Sequence, residues 1–190
     1  MNMKKIVASA AALSLTAAIA VGGTLAWLTD GTTATENTFT YKFGEAEKPI
    51  TIELTDVFPE KEMYPGAELD KDVSVTVKAN SMNSYVYLEV QNGFYDTEGV
   101  GLVLDTAKWI VVNEDGANTI YRYNSIVPNS TSDQALDKLL DKVTFDKDMD
   151  HATLTNLDQT KITVQAYAIQ SDGTGESVAD EQAIAWFAAN

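Results

Sequence analysis

Apolar residues are distributed along this chain in three ways. Residues 6–21 form an almost unbroken apolar run, whereas from residue 38 onward apolar positions recur every second residue in short stretches. In two places they recur instead at spacings of three and four. Alternation predicts strands with one buried face, because successive strand side chains point to opposite sides of a sheet. The first such stretches are 38–43, through Phe39, Tyr41 and Phe43, and 50–57, through Ile50, Ile52 and Leu54. In 73–77 the valines 73, 75 and 77 share a face, and in 84–92 Val86, Leu88 and Val90 stand opposite Tyr85, Tyr87 and Glu89. Further candidates are 108–112, 119–123, 143–145 and 161–170. Such short one-faced runs, punctuated by Gly, Pro, Asn and Asp, predict antiparallel sheets packed as a sandwich.

Two segments depart from the alternation. Leu136, Leu139, Leu140 and Val143 follow a Ser/Thr-rich stretch at 130–132 that can supply a helix N-cap. Residues 178–188 carry Ala183, Ile184, Trp186 and Phe187, with Asp180 and Glu181 near the start, where acidic groups favour the helix dipole. Tyr64-Pro65-Gly66 predicts a turn, and Gly99-Val100-Gly101 reads as another. The fold expected from these patterns is mainly β. It is an antiparallel jelly-roll-like β-sandwich with one or two short rim helices, preceded by a signal-peptide helix.

The unbroken run has its own meaning. It follows Lys4 and Lys5 and leads into Gly22-Gly23-Thr24-Leu25-Ala26, which is the positive, apolar and small-residue order of a secretory signal peptide. Thr24 and Ala26 are the small residues a signal peptidase reads, so the expected cut lies between Ala26 and Trp27. A retained anchor is the alternative, since roughly 20 residues can span a bilayer. The Ala/Ser/Thr-rich composition of the run favours cleavage, because alanine contributes far less to insertion than leucine or isoleucine. The expected organisation is a signal peptide at 1–26, a flexible N-terminal segment at 27–41 and a sandwich domain at 42–190.

Charge and composition narrow the function. A formal net charge of −15 repels phosphate backbones and anionic lipid, so no nucleic-acid partner is expected, and membrane contact only through the uncleaved signal. The chain has no cysteine and one histidine, which removes thiolate catalysis and zinc–sulfur sites. Asp146, Asp148 and Asp150 alternate as in the first half of an EF-hand loop, but His151 stands where the glycine belongs and Leu157 where the bidentate glutamate belongs. The stretch reads as an exposed acidic loop. No HExxH helix and no Gly-x-Ser-x-Gly elbow is present. No catalytic, metal or cofactor-binding residues are therefore expected. Tyr85, Tyr87, Tyr121, Tyr123, Trp109 and Trp186 sit mostly in predicted strands, where core or cross-strand packing is the ordinary role and a binding or subunit surface the alternative.

Gly22-Gly23-Thr24-Leu25-Ala26-Trp27-Leu28-Thr29-Asp30, followed by Asn37-Thr38-Phe39-Thr40, resembles the leader of the TasA/camelysin family of Gram-positive secreted proteins. Tyr64-Pro65-Gly66 with the strands after it, and Gln165-Ala166-Tyr167-Ala168-Ile169-Gln170 followed by Ala185-Trp186, are similar to that family's middle and C-terminal stretches. Residues 93–158 carry no such likeness. The resemblance implies processing by a SipW-like signal peptidase and a jelly-roll domain secreted to the matrix or cell surface. It further implies self-association, or association with related matrix subunits, into biofilm fibres by strand donation. The donor would then span about Trp27 to Tyr41, with Trp27, Leu28, Phe39 and Tyr41 as its pocket-filling contacts. A monomeric cell-surface adhesin or ligand-binding module is the alternative. A secreted metallopeptidase, a label some members of the family carry, finds no supporting residue set here.

Overall fold

The computed structural model describes residues 29–32, 50–58, 62–157 and 160–190, the first of these as backbone only. The chain is a β-sandwich of two antiparallel sheets. Its strands are β1 (Thr29–Thr32), β2 (Ile52–Val57), β3 (Glu68–Val77), β4 (Ser84–Asn92) and β5 (Val100–Leu104). They continue with β6 (Trp109–Asp115), β7 (Asn118–Tyr123), β8 (Gln134–Ala135), β9 (Leu140–Phe145) and β10 (Ile162–Gln170). One sheet runs β1-β10-β4-β7-β6, and the other β2-β3-β9-β5 with β8 also paired to β3. The helices are α1 (His151–Asn156) and α2 (Glu176–Ala189).

The core between the sheets is assembled from the alternating rows. Ile52, Val73, Val75 and Val77 of one sheet meet Val86, Leu88, Val90, Val164, Ala166 and Ala168 of the other. Trp109 closes this layer fully buried, its indole Nε1 donating to the Asp137 carbonyl at 2.9 Å, so its polar atom is not stranded. β4 and β10 are buried on both faces, because α2 lies over the outer face of their sheet. There Tyr85, Tyr87, Tyr167 and Ile169 pack against Ala179, Ala183 and Phe187. A third cluster, Ala67, Leu69, Phe94, Val143, Phe145, Leu154 and Leu157, fills one end of the sandwich. Two glycines are required by geometry. Gly66 adopts φ 80° in the turn after Pro65, with Ala67 N–H donating to the Tyr64 carbonyl at 3.0 Å. At Gly93 a Cβ would sit 2.4 Å from the Lys161 carbonyl oxygen, so only glycine lets this turn approach the start of β10.

Several expectations are corrected. The helical spacing at 136–143 is not a helix. Leu136 and Leu139 donate their N–H groups to the carbonyls of Val75 and Val73, so this stretch runs extended along β3 and then becomes β9. An irregular extended chain whose ladder contains a bulge can bury residues three apart as well as a helix can, and periodicity alone does not separate the two. The short helix lies later, at α1, where the Asp150 carboxylate caps the Thr153 N–H. α2 covers a sheet face rather than the rim. Val100 and Gly101 belong to β5; the turn is confined to the residues before it, with Gly99 at φ 84°. Thr29–Thr32, in the segment read as a flexible leader and a possible donor strand, pairs as β1. The expected strand at 38–43 and the cleavage site at Ala26 and Trp27 lie outside the described residues, as do Leu28, Phe39 and Tyr41.

Candidate strand-pairing edge and its surroundings

β10 is paired with β4 along its whole length, from Ile162↔Asn92 to Gln170↔Ser84. Val164, Ala166 and Ala168 face the inter-sheet core, while Tyr167 and Ile169 face α2. With both faces and one edge occupied, the remaining edge of β10 presents a row of main-chain donors and acceptors, which a buried strand must satisfy. β1 meets part of that need. It runs antiparallel in the register Thr29↔Ile169, Asp30↔Ala168, Gly31↔Tyr167 and Thr32↔Ala166. The backbone ladder ties it to β10. Of the proposed donor residues, these four are described, and they lie on the sheet edge.

The outer face beside this edge is fixed by one ionic cluster. Arg122 is buried on β7, and its Nη1 donates to both carboxylate oxygens of Asp180 at 2.8 and 2.9 Å. Its Nη2 donates to Glu176 at 2.6 Å, and the Tyr87 hydroxyl donates to Asp180 at 2.9 Å. Burial, together with this bond to an anion, pushes the Tyr87 phenol well above its usual range. Both acids lie in the first turns of α2, so the cluster also sits at the positive end of the helix dipole. Trp186 then stacks on Tyr167 at 5.0 Å between ring centres. The polar-phase tyrosines 85 and 87 are therefore covered by α2. Tyr121 packs in the core, and Tyr123 packs beside Trp109 with its hydroxyl donating to Asp137. Burial, then that bond, pushes the Tyr123 phenol up to about 12.

The alternating aspartates serve the backbone. Asp146 accepts the Asp148 N–H at 2.8 Å, Asp150 accepts the Thr153 N–H at 2.7 Å, and Asp148 pairs with Lys147. His151 is the exposed first residue of α1. Among the described residues, no group of three or more His, Asp or Glu side chains is placed to hold a metal ion.

One charged residue was not singled out from the sequence. Lys71 occupies the inward phase of β3, in the row Leu69, Lys71, Val73, Val75, Val77, and is 5 % exposed. Extending the valine alternation upstream by one step reaches it, which is the signal that locates it. Its ammonium donates to Asp56, and the Phe58 ring lies over it at 5.5 Å. Arg122 carries no comparable mark in sequence, because its partners are 54 and 58 residues away.

The chain matches no family model, no curated protein and no solved structure.

Proposed function

We propose that this chain is a secreted, non-enzymatic structural protein, a subunit or accessory component of extracellular matrix fibres assembled by strand donation. The observation that carries the proposal is the pairing of Thr29–Thr32 with the outer edge of β10. A strand held by main-chain bonds can be supplied by its own chain or by the same segment of another copy, with an identical ladder in either case. Export through the leader at 1–26 and cleavage before Trp27 by a SipW-like peptidase would free that segment from the membrane. The resemblance of the leader and of the C-terminal strand to the TasA/camelysin pattern supports the same reading.

Electron microscopy and size-exclusion chromatography of the secreted protein test it. Concentration-dependent fibres are expected, and deletion of residues 27–37 is expected to leave a folded monomer. Normal fibres from the deletion variant would overturn strand donation. A secreted protein whose mass begins at Met1 would overturn cleavage. The pairing of β1 within its own chain also suits a monomeric cell-surface binding module, and an intact protein that stays monomeric at every concentration would favour that reading.

A further inference from the structure

A cavity of about 490 Å³ opens at one end of the sandwich, between the end of β2, the start of β3, the end of β9 and the start of β10. Its walls are apolar over the larger part: Met63, Leu69, Phe94, Val143, Phe145 and Ile162 all line it. Leu69, Phe94, Val143 and Phe145 belong to the packed end cluster, and the Phe94 and Phe145 rings meet edge to face at 6.0 Å. The walls are therefore held by the core rather than by loops alone. A volume of this size and a mainly apolar lining with polar groups among it are usual features of a small-molecule site.

The polar groups decide what would bind. Lys71 and Asp56 both line the cavity, as do Thr160, Lys161 and Thr163 around the start of β10. The Lys71 side chain is 6 % exposed and that of Asp56 19 %. An ammonium has three donors, and Asp56 is the hydrogen-bond acceptor that the described residues offer Lys71. As a purely structural choice the lysine is a poor one, because an ion pair buried in this way contributes no more than well-packed apolar side chains would. Every other inward position from 69 to 77 on β3 is Leu or Val. Lysine in that row costs stability and places hydrogen-bond donors on the wall of an apolar cavity.

We propose that this cavity is a binding site for an uncharged amphiphile. Its medium-length acyl or aromatic body fills the apolar end of the sandwich, and a carbonyl or hydroxyl oxygen on its head accepts from Lys71. The charges oppose the alternatives. An anionic head would meet the Asp56 carboxylate and the field of a protein of net charge −15, against the attraction of Lys71, already paired with Asp56, and of the exposed Lys161. A cationic head would set a second positive charge beside Lys71. A neutral acceptor leaves the Lys71–Asp56 pair intact. Phe58, 46 % exposed and lying over the ammonium, stands where it can cover the head of a bound molecule. The site makes no use of the β10 edge that β1 occupies, so it stands apart from strand donation.

Fluorescence titration of the purified protein with N-phenylnaphthylamine, followed by displacement, tests the proposal. Saturable binding is expected, with displacement by decanol and methyl decanoate and about tenfold weaker displacement by decylammonium or decanoate. Lys71→Met keeps the apolar walls and is expected to weaken decanol binding about tenfold, the factor that loss of one hydrogen bond to a charged donor gives. Met63→Trp, at the half-buried edge of the cavity, is expected to abolish probe binding while the circular dichroism spectrum stays that of the parent. Chemical-shift perturbations by decanol are expected at Lys71, Phe94 and Phe145. No saturable binding, unchanged decanol affinity in Lys71→Met, or perturbations confined to other residues would each overturn the proposal.

Discussion

Two cations are buried among the described residues of this sandwich, and their surroundings differ. Arg122, between the outer sheet face and α2, meets Asp180, Glu176 and the hydroxyl-bearing Tyr87–Asp180 pair, with the Tyr85 ring 6.0 Å from its guanidinium. Lys71, within the sandwich, meets one carboxylate and one ring at the wall of an open cavity. The guanidinium's planar fork makes three bonds to two carboxylates, which is how a buried charge becomes a clamp. Among the described residues the lysine has one carboxylate partner. A charge held by several partners ties elements together, whereas a charge with one partner beside a cavity is the basis of the ligand site proposed above.

The largest expected effect breaks the Arg122 site. Asp180→Ala leaves Arg122 with Glu176, whose side chain is 63 % exposed, and removes the acceptor of Tyr87. A loss of about 3 kcal/mol is expected, or a Tm fall of about 6–12 °C for a chain of this size. Thermal unfolding followed by circular dichroism measures it, and a change under about 1 kcal/mol would show that the cluster is not a clamp. The Lys71 site should respond more weakly and in both directions. Asp56→Ala strands the ammonium and is expected to cost about 1–2 kcal/mol. Lys71→Met is expected within about 1 kcal/mol of the parent, on the stabilising side. Urea midpoints of the two variants measure the difference, and equal losses from both would make Lys71 a structural partner.

The smallest effect concerns a third buried ionisable group. Glu89 lies on β4 directly across from Gln165 of β10, 6 % exposed, and burial raises its carboxyl above the usual range against a lowering bond from Gln91. Raising an acid's folded pKa means the native state favours the proton. The resulting stability is fully present below the unfolded carboxyl pKa and is lost as pH rises through the raised folded value. Glu89→Gln is therefore expected to raise the Tm slightly at pH 7 and to leave it unchanged at about pH 3.5, below the unfolded glutamate value. Melting curves at the two pH values measure this, and an equal shift at both would assign the gain to packing rather than ionisation.

The main rows of the core were legible. Val73, Val75 and Val77 and then Val86, Leu88 and Val90 alternate cleanly, and each row lies between the sheets. The turn at Tyr64-Pro65-Gly66 was equally plain, because proline and a positive-φ glycine leave few other conformations. β1 was not legible from local pattern and entered only as a donor strand implied by the resemblance. In Thr-Asp-Gly-Thr the Asp and Gly disfavour a strand and there is no hydrophobic row, and its pairing partner is the distant β10. The segment 136–143 misled for the converse reason: its leucines are buried at helical spacing by a chain that hugs β3. For Tyr85 and Tyr87 the sequence left core or cross-strand packing as the ordinary role and a binding surface as the alternative, because nothing in β4 announces that a helix nearly a hundred residues later will cover them.

What the sequence determined by itself is the set of faces: which side of each strand is apolar, where turns must fall, and how acidic the surface is. Those follow from side-chain chemistry and backbone sterics within a few residues. The tertiary structure alone decided which edges and cavities those faces leave. Whether β10 keeps a free edge, whether Arg122 finds two acids on α2, and whether Lys71 borders a cavity depend on contacts between distant segments. No local pattern encodes such contacts, because the energy that fixes them is gained only when the sheets pack.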